Sequence, residues 1–210
     1  MHLLIFGPTG GTGRALVAQA LAAGHHVTAF VRNPDKMEPR HHERLRLVAG
    51  DAASGGPSVG EAMRGQEVVI SALGVSKSFT PLGLIEKSVT HIIAAMQSHN
   101  VRRLIFTSAL GVGETMSQTR LPLRIFMRLF LKKVYADKLA GEVLIRRSSL
   151  DWTIVQPALL TSGPLTGTYR VGERLPLSGF AKISRADTAH FILGQVESPT
   201  FVRKTVIVSY

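Results

Sequence analysis

Residues 1–32 constrain the chain most. Met1-His-Leu-Leu-Ile-Phe6 is a short apolar run, and Gly7-Pro-Thr-Gly10-Gly-Thr-Gly13 follows at once. A helix-like stretch occupies Arg14 to Ala23, and a second apolar run, Val27-Thr-Ala-Phe-Val31, ends at Arg32. This order reads as strand, glycine-rich turn, helix, strand, with a cation where the second strand stops. A nucleotide diphosphate is held by that arrangement. Gly7 permits a tight turn, Gly10 lets backbone approach the pyrophosphate, and Gly13 lets helix and strand pack closely. The helix N-terminus then offers free N–H groups and a positive dipole end. The plainer reading is a glycine-rich turn that only joins strand to helix.

Further apolar runs recur at Leu45–Val48, Val68–Ser71, Leu104–Thr107, Trp152–Val155 and Val206–Val208. Helical patterns lie between most of them: Gly13–Ala23, Ser58–Met63, Ile85–Ser98, a long one from about Leu121 to Arg147, and Arg185–Val196. Near-continuous apolar strands alternating with helices predict a parallel sheet covered on both faces. With right-handed crossovers this is an α/β fold with a single doubly wound sheet of about seven strands. The 210 residues suffice for one domain, 1–210, with a small substrate-side elaboration near 115–135 and 160–185. Residues 163–179, rich in Gly and Pro, read as a loop or short hairpin.

Ligands of such sheets bind at the carboxyl ends of the strands. Six segments should therefore meet in one crevice: Gly7–Thr12, Arg32–Lys36, Gly50-Asp51, Ala72–Val75, Ser108–Val112 and Gln156–Leu160. Sites that select NAD place Asp or Glu at the end of the second strand, whereas NADP sites place a cation there for the 2′-phosphate. Arg32, with Lys36 close by, favours NADP(H) over NAD(H), because a guanidinium grips phosphate in a planar, bidentate way. Asp35 is the one nearby acid, and its place beyond Pro34 suits a turn facing away. Asp51 can accept from an adenine amino group, or can simply form a turn.

The chain has no cysteine, so disulfides, thiolate metal sites and cysteine catalysis are excluded. His25-His26 and His41-His42 are adjacent pairs whose members point apart, with no carboxylate cluster beside them, and no metal site is expected. No signal peptide or membrane-length apolar stretch is visible, which predicts a cytoplasmic protein. Net charge is +11, and residues 120–147 hold eight Lys/Arg against Asp137 and Glu142. Arg120, Arg124, Arg128 and Lys132 repeat every four residues beside Leu121, Ile125, Leu129 and Phe130. This stripe has three readings: a solvated helix face, a lid attracting anionic substrates, or a peripheral contact of residues 120–133 with a membrane or partner. Nucleic acid is not expected, since no recognition motif accompanies the charge. The pattern carries no signal of oligomeric state.

Several segments occur in an order that resembles the atypical short-chain dehydrogenase/reductase proteins, the group containing flavin reductase and NmrA-like NADP-binding proteins. They are residues 7–13, Phe30-Val-Arg-Asn-Pro34, Gly50-Asp51, Ser71-Ala-Leu-Gly74, Thr107-Ser108, Ser149–Pro157, Pro164–Tyr169 and Ile183-Ser-Arg-Ala-Asp187. The resemblance spans essentially the whole chain. It implies an NADP(H)-binding Rossmann domain that reduces a small planar acceptor: a flavin, a quinone or a tetrapyrrole. By the same resemblance the nicotinamide lies near Ser108, and the backbone from Pro157 to Leu160 holds its carboxamide. Histidines of the group's active site fall near Leu159 and Lys138 here, so they are absent.

The site residues expected to hold cofactor are Gly7, Thr9, Gly10, Gly11, Thr12, Gly13, Arg32, Lys36, Asp51, Ala52, Ala72, Leu73, Gly74, Thr107, Ser108, Lys138, Pro157, Ala158, Leu159 and Leu160. Ser108, Lys138 and Tyr135 are the candidates for chemistry. Tyr135 and Lys138 share a helix face and suggest the Tyr/Lys proton relay of ordinary short-chain dehydrogenases. Alternatively, Tyr135 packs the helix and Lys138 lines the pocket. Ser108 either donates to a substrate oxygen or serves as a helix cap or turn residue. Two other functions stay open: a non-catalytic NADP(H) sensor signalling to a partner, and a nucleotide-sugar epimerase or dehydratase.

Overall fold

The computed structural model describes residues 1–74, 83–119, 124–125, 129, 131–177 and 181–210. Its strands are β1 (His2–Phe6), β2 (His26–Val31), β3 (Leu45–Ala49), β4 (Val68–Ser71), β5 (Arg103–Thr107), β6 (Asp151–Pro157), β7 (Leu159–Thr161), β8 (Arg170–Gly172), β9 (Lys182–Ser184) and β10 (Lys204–Ser209). Its helices are α1 (Gly11–Ala22), α2 (Pro57–Met63), α3 (Leu84–Ser98), α4 (Lys132–Arg147) and α5 (Arg185–Gly194). Eight strands form one sheet in the order β3-β2-β1-β4-β5-β6-β10-β8. All its pairings are parallel except β10 with β8. The order reverses between β1 and β4, and this is the switch point at which a doubly wound sheet opens a crevice.

β1 shows why these runs become central strands. Leu3 and Ile5 enter one hydrophobic cluster with Leu16, Val17 and Ala20 of α1 and Ala189 and Ile192 of α5. Leu4 and Phe6 enter the other with Val59 and Met63 of α2, Ile85, Val89 and Ile92 of α3, and Ile145 of α4. Alternate side chains point to opposite faces, so a strand covered on both faces is apolar at every position. Each such Leu or Ile contributes roughly 1.5–3 kcal/mol on burial.

All seven expected strands are present. Three short ones escape a reading by pattern. β8 forms within residues 163–179 and closes the sheet edge against β10, and β7 pairs in parallel with β9 as a separate small sheet. The expected helix from Leu121 to Arg147 is interrupted: Arg124, Ile125 and Leu129 are helical, and Leu131 is not. α4 begins at Lys132, after Leu131 with φ −113° and ψ 8°. A helical period cannot reveal that break, because the residues on both sides are good helix formers. Arg120, Leu121, Leu123, Phe126, Met127, Arg128, Phe130 and Val75 lie outside the described residues. Of the basic stripe, Arg124 donates to the carbonyls of Ser117 and Thr119, while Ile125 and Leu129 are exposed.

Candidate cofactor-binding and active site

The glycine turn is shaped by close approach. Gly7 has φ +75°, and a Cβ there would come 2.7 Å from the Ala72 carbonyl oxygen. A Cβ on Gly13 would come 2.0 Å from the Gly7 carbonyl oxygen, which no side chain can occupy. α1 therefore starts directly on the end of β1. Its N-cap is Gly10, no side chain caps it, and no acid stands in its first turn. The first N–H groups of a helix have no intrahelical acceptor, so these point outward with the positive dipole end.

Around this turn lies a cleft of about 820 Å³, large enough for a dinucleotide-sized ligand. Of the expected cofactor residues, Gly7, Thr9, Gly10, Gly11, Thr12, Arg32, Lys36, Asp51, Ala52, Ala72, Leu73, Gly74, Thr107, Ser108, Lys138 and Leu160 line it. Four do not. Gly13 lies beneath the turn. Pro157 and Ala158 stay in the sheet, where the Ala158 N–H donates to Val208. Leu159 is turned outward at 65% exposure, because its N–H is drawn toward the Ala181 carbonyl. Only Leu160 of that segment reaches the cleft.

At the end of the cleft beside β2 and β3, Arg32 is exposed and lines the cleft with Lys36. Asp35 is paired with Arg40 at 3.3 Å, outside the lining. Asn33 caps the short turn by accepting from the Asp35 N–H. Asp51 accepts from the Ala53 N–H at 2.9 Å with one carboxylate oxygen while lining the cleft, so forming the turn does not withdraw it from the cleft. Arg14, Glu38, Phe30 and Arg185 also line the cleft and were not foreseen. Arg14 donates to the carbonyls of Thr9 and Lys36 and pairs with Glu38 at 3.6 Å. Its position directly after Gly13 was the available signal. The signal for Arg185 was the Ser-Arg-Ala-Asp segment.

At the other end, the buried hydroxyls of Ser88, Thr107 and Ser108 have no hydrogen-bond partner among the described residues, and all three residues line the cleft. No helix starts at Ser108, whose N–H donates to Val155. Lys138 is buried, its Nζ lies 3.4 Å from the Thr107 carbonyl oxygen, and it reaches the cleft. Burial pushes its amine down to about 8, against the raising effect of Glu142 and Asp137. One turn on, Glu142 is wholly buried and accepts from Arg146 at 2.7 Å and from Gln156 at 2.8 Å. Burial raises its carboxyl, while the nearby Ser108 hydroxyl, the hydrogen bond from Gln156 and the Arg146 guanidinium oppose this. Ser108 Oγ thus faces Glu142 without reaching good hydrogen-bond geometry. Thr115 donates in turn to the Gln156 amide oxygen; Gln156 opens a segment expected at the crevice, but nothing local marks it, Glu142 and Thr115 as one network.

Tyr135 is held elsewhere. Its hydroxyl donates to the Leu110 carbonyl at 2.9 Å, burial pushes it up to about 12, and it does not line the cleft. The Tyr/Lys relay is therefore not assembled: sharing a helix face does not make two side chains reach the same space. Among the described residues, no three His, Asp or Glu converge as a metal site.

The strand order, the uncapped helix start at the switch point and the orphaned hydroxyls around one cleft fit a dinucleotide, and define an NAD(P)-binding Rossmann protein. The chain belongs to the NAD(P)H-binding family, whose model matches residues 7–199. It is 30% identical over 172 residues to an uncharacterized chloroplastic protein of Arabidopsis thaliana, covering 79% of this chain and 61% of that one. It is 26% identical to the photosystem II assembly factor Ycf39 of Synechocystis, covering 98% and 61%. The chain thus spans about three fifths of the length of these two relatives. The fold matches ChuY, an anaerobilin reductase from Escherichia coli O157:H7, with TM-score 0.81 and 23% identity over 99% of this chain and 96% of that one. It also matches a short-chain dehydrogenase/reductase from Veillonella parvula in complex with NADP, with TM-score 0.82 and 20% identity over 100% and 94%. Among the described residues, no helix is long and apolar enough to cross a membrane.

Proposed function

We propose that this chain is an NADP(H)-dependent reductase, organised as one domain, that passes hydride to a small planar acceptor such as a flavin, quinone or tetrapyrrole. The observation that carries the reading is Lys138: a buried amine at the cleft wall beside the unpartnered hydroxyls of Thr107 and Ser108. When bound, the nicotinamide supplies the hydride. The chain's own task is to orient and to move a proton. Thr107 and Ser108 offer hydroxyls to the acceptor or the carboxamide, and Leu160 closes the apolar side. Lys138, with its amine pushed down to about 8, can release a proton near neutral pH. Arg32, Lys36 and Arg14 form the cationic end that suits a 2′-phosphate. The tetrapyrrole option draws support from the fold shared with ChuY.

Purified protein mixed with NADPH and FMN, riboflavin or a quinone should consume the nicotinamide absorbance. Arg32→Ala should weaken NADPH by about tenfold or more and NADH much less. Equal losses would refute the 2′-phosphate role.

The sensor reading keeps one specific support: Tyr135 is locked to Leu110 and pushed up to about 12, so the usual proton donor is out of play. Tight NADPH binding without turnover across the acceptor panel would select it. The relation to an assembly factor points the same way.

A further inference from the structure

We infer that Arg185 is a cation for the cofactor's diphosphate, clamping it against the start of α1, separate from the Arg32 end of the cleft. The inference rests on the cofactor reading above and adds a residue to it. Arg185 is the first residue of α5, and its backbone is fixed by Ser184, whose side chain accepts from the Asp187 N–H at 2.9 Å. Its side chain lies across Gly11: a Cβ there would stand 2.5 Å from Arg185 Cδ and 2.8 Å from Nε. The glycine at position 11 therefore makes room for this side chain.

The charge is otherwise unexplained. Arg185 has no ion pair among the described residues, and its hydrogen bond is a long one, from Nη1 to Ser162 Oγ at 3.3 Å. Asp187, two residues on, is already taken by Tyr210, Thr166, Gly167 and Ser184. A guanidinium laid on the N-terminus of α1 meets the positive end of a helix with no acid in its first turn, which is unfavourable without an anion between them. The same cleft holds, further along, the buried, unpartnered hydroxyls of Ser88, Thr107 and Ser108, a second sign that the cleft is built to meet a ligand. Planar, bidentate contact to phosphate oxygens is what a guanidinium does best.

Dissociation constants of NADPH, NADH, ADP and adenosine 2′-monophosphate, measured by calorimetry, test the assignment. Arg185→Ala should weaken NADPH, NADH and ADP alike, by about 10- to 100-fold. It should leave adenosine 2′-monophosphate unchanged, because that ligand has no diphosphate. Arg32→Ala should show the reverse selectivity. Arg185→Gln, which keeps part of the stem over Gly11 without the charge, should lose about as much and covers the case in which the alanine variant does not fold. If wild-type protein binds neither dinucleotide, the cofactor reading itself fails. If wild type binds both, and Arg185→Ala or a folded Arg185→Gln binds ADP and NADH as tightly, the clamp is overturned. Loss on NADPH alone would also overturn it and assign Arg185 to the 2′-phosphate.

Discussion

Lys138 is a buried amine at the wall of the cleft. Burial disfavours its charged form and pushes the amine from 10.5 down to about 8, although Glu142 and Asp137 pull the other way. The unfolded chain therefore holds more protons than the folded one between pH 8 and 10.5, and stability rises with pH across that window. Below pH 8 the full penalty applies, on the order of 3 kcal/mol. Lys138→Met should raise the melting temperature at pH 7, with a gain that shrinks toward pH 10.5, and should depress turnover. No gain at pH 7 would refute the burial penalty. Such a residue is poorly legible in sequence. The sequence marks Lys138 as a candidate for the site but not its burial; only packing against β5 turns it inward. The glycine turn is the opposite case. The needs of Gly7 and Gly13 are local and visible in the spacing, and Gly13→Ala should abolish dinucleotide binding and destabilise the fold, since its methyl would meet the Gly7 carbonyl.

The elements around the C-terminal part of the chain are tied by one buried carboxylate. Burial alone would raise Asp187, but hydrogen bonds from Tyr210, Gly167 and Thr166 outweigh it and hold the carboxyl down to about 2. Asp187 thereby joins the loop at 166–167, the Ser184 cap of α5 and the C-terminal Tyr210. A carboxyl held below its ordinary 3.8 stabilises the fold fully above that value, and the contribution fades as pH falls through about 2. Asp187→Asn should cost about 2 kcal/mol at pH 7, seen as a lower denaturation midpoint, and the gap should close toward pH 2. A gap independent of pH would contradict this account. α3 shows the same long-range logic. Its cap, Gly83, has no side chain, and Asp137 of α4 accepts instead from the N–H groups of Ile85 and Glu86 at 3.0 and 3.1 Å. Asp137→Ala should lower stability by about 1 kcal/mol, measured by denaturant titration. A cap supplied from some fifty residues away leaves no mark in the local sequence. Nor do β7, β8 and β9, three residues each: they have no room to show a period and exist only through their partners.

At the scale of the whole molecule, the cleft gathers Arg14, Arg32, Lys36, Lys138 and Arg185 against Glu38 and Asp51. Two consequences follow for a cofactor of high negative charge. NADPH at a hundred times its dissociation constant should stabilise the protein by about 2.7 kcal/mol, a rise of several degrees in melting temperature. Raising salt from about 0.05 to 0.5 M should weaken NADPH, as charges at the exposed Arg32 end are screened.

The doubly wound sheet, the dinucleotide turn and the cation after β2 were settled by sequence alone, because each depends on neighbours within one turn or one strand: backbone dihedrals, apolar period and a helix start. What only the tertiary structure decided is which distant groups share a space. It turned Tyr135 to Leu110, drew Leu159 away and Leu160 in, buried Lys138 and Glu142 beside Ser108, and laid Arg185 over Gly11. Those outcomes follow from desolvation and close packing between segments far apart in the chain, and neither has a local signature.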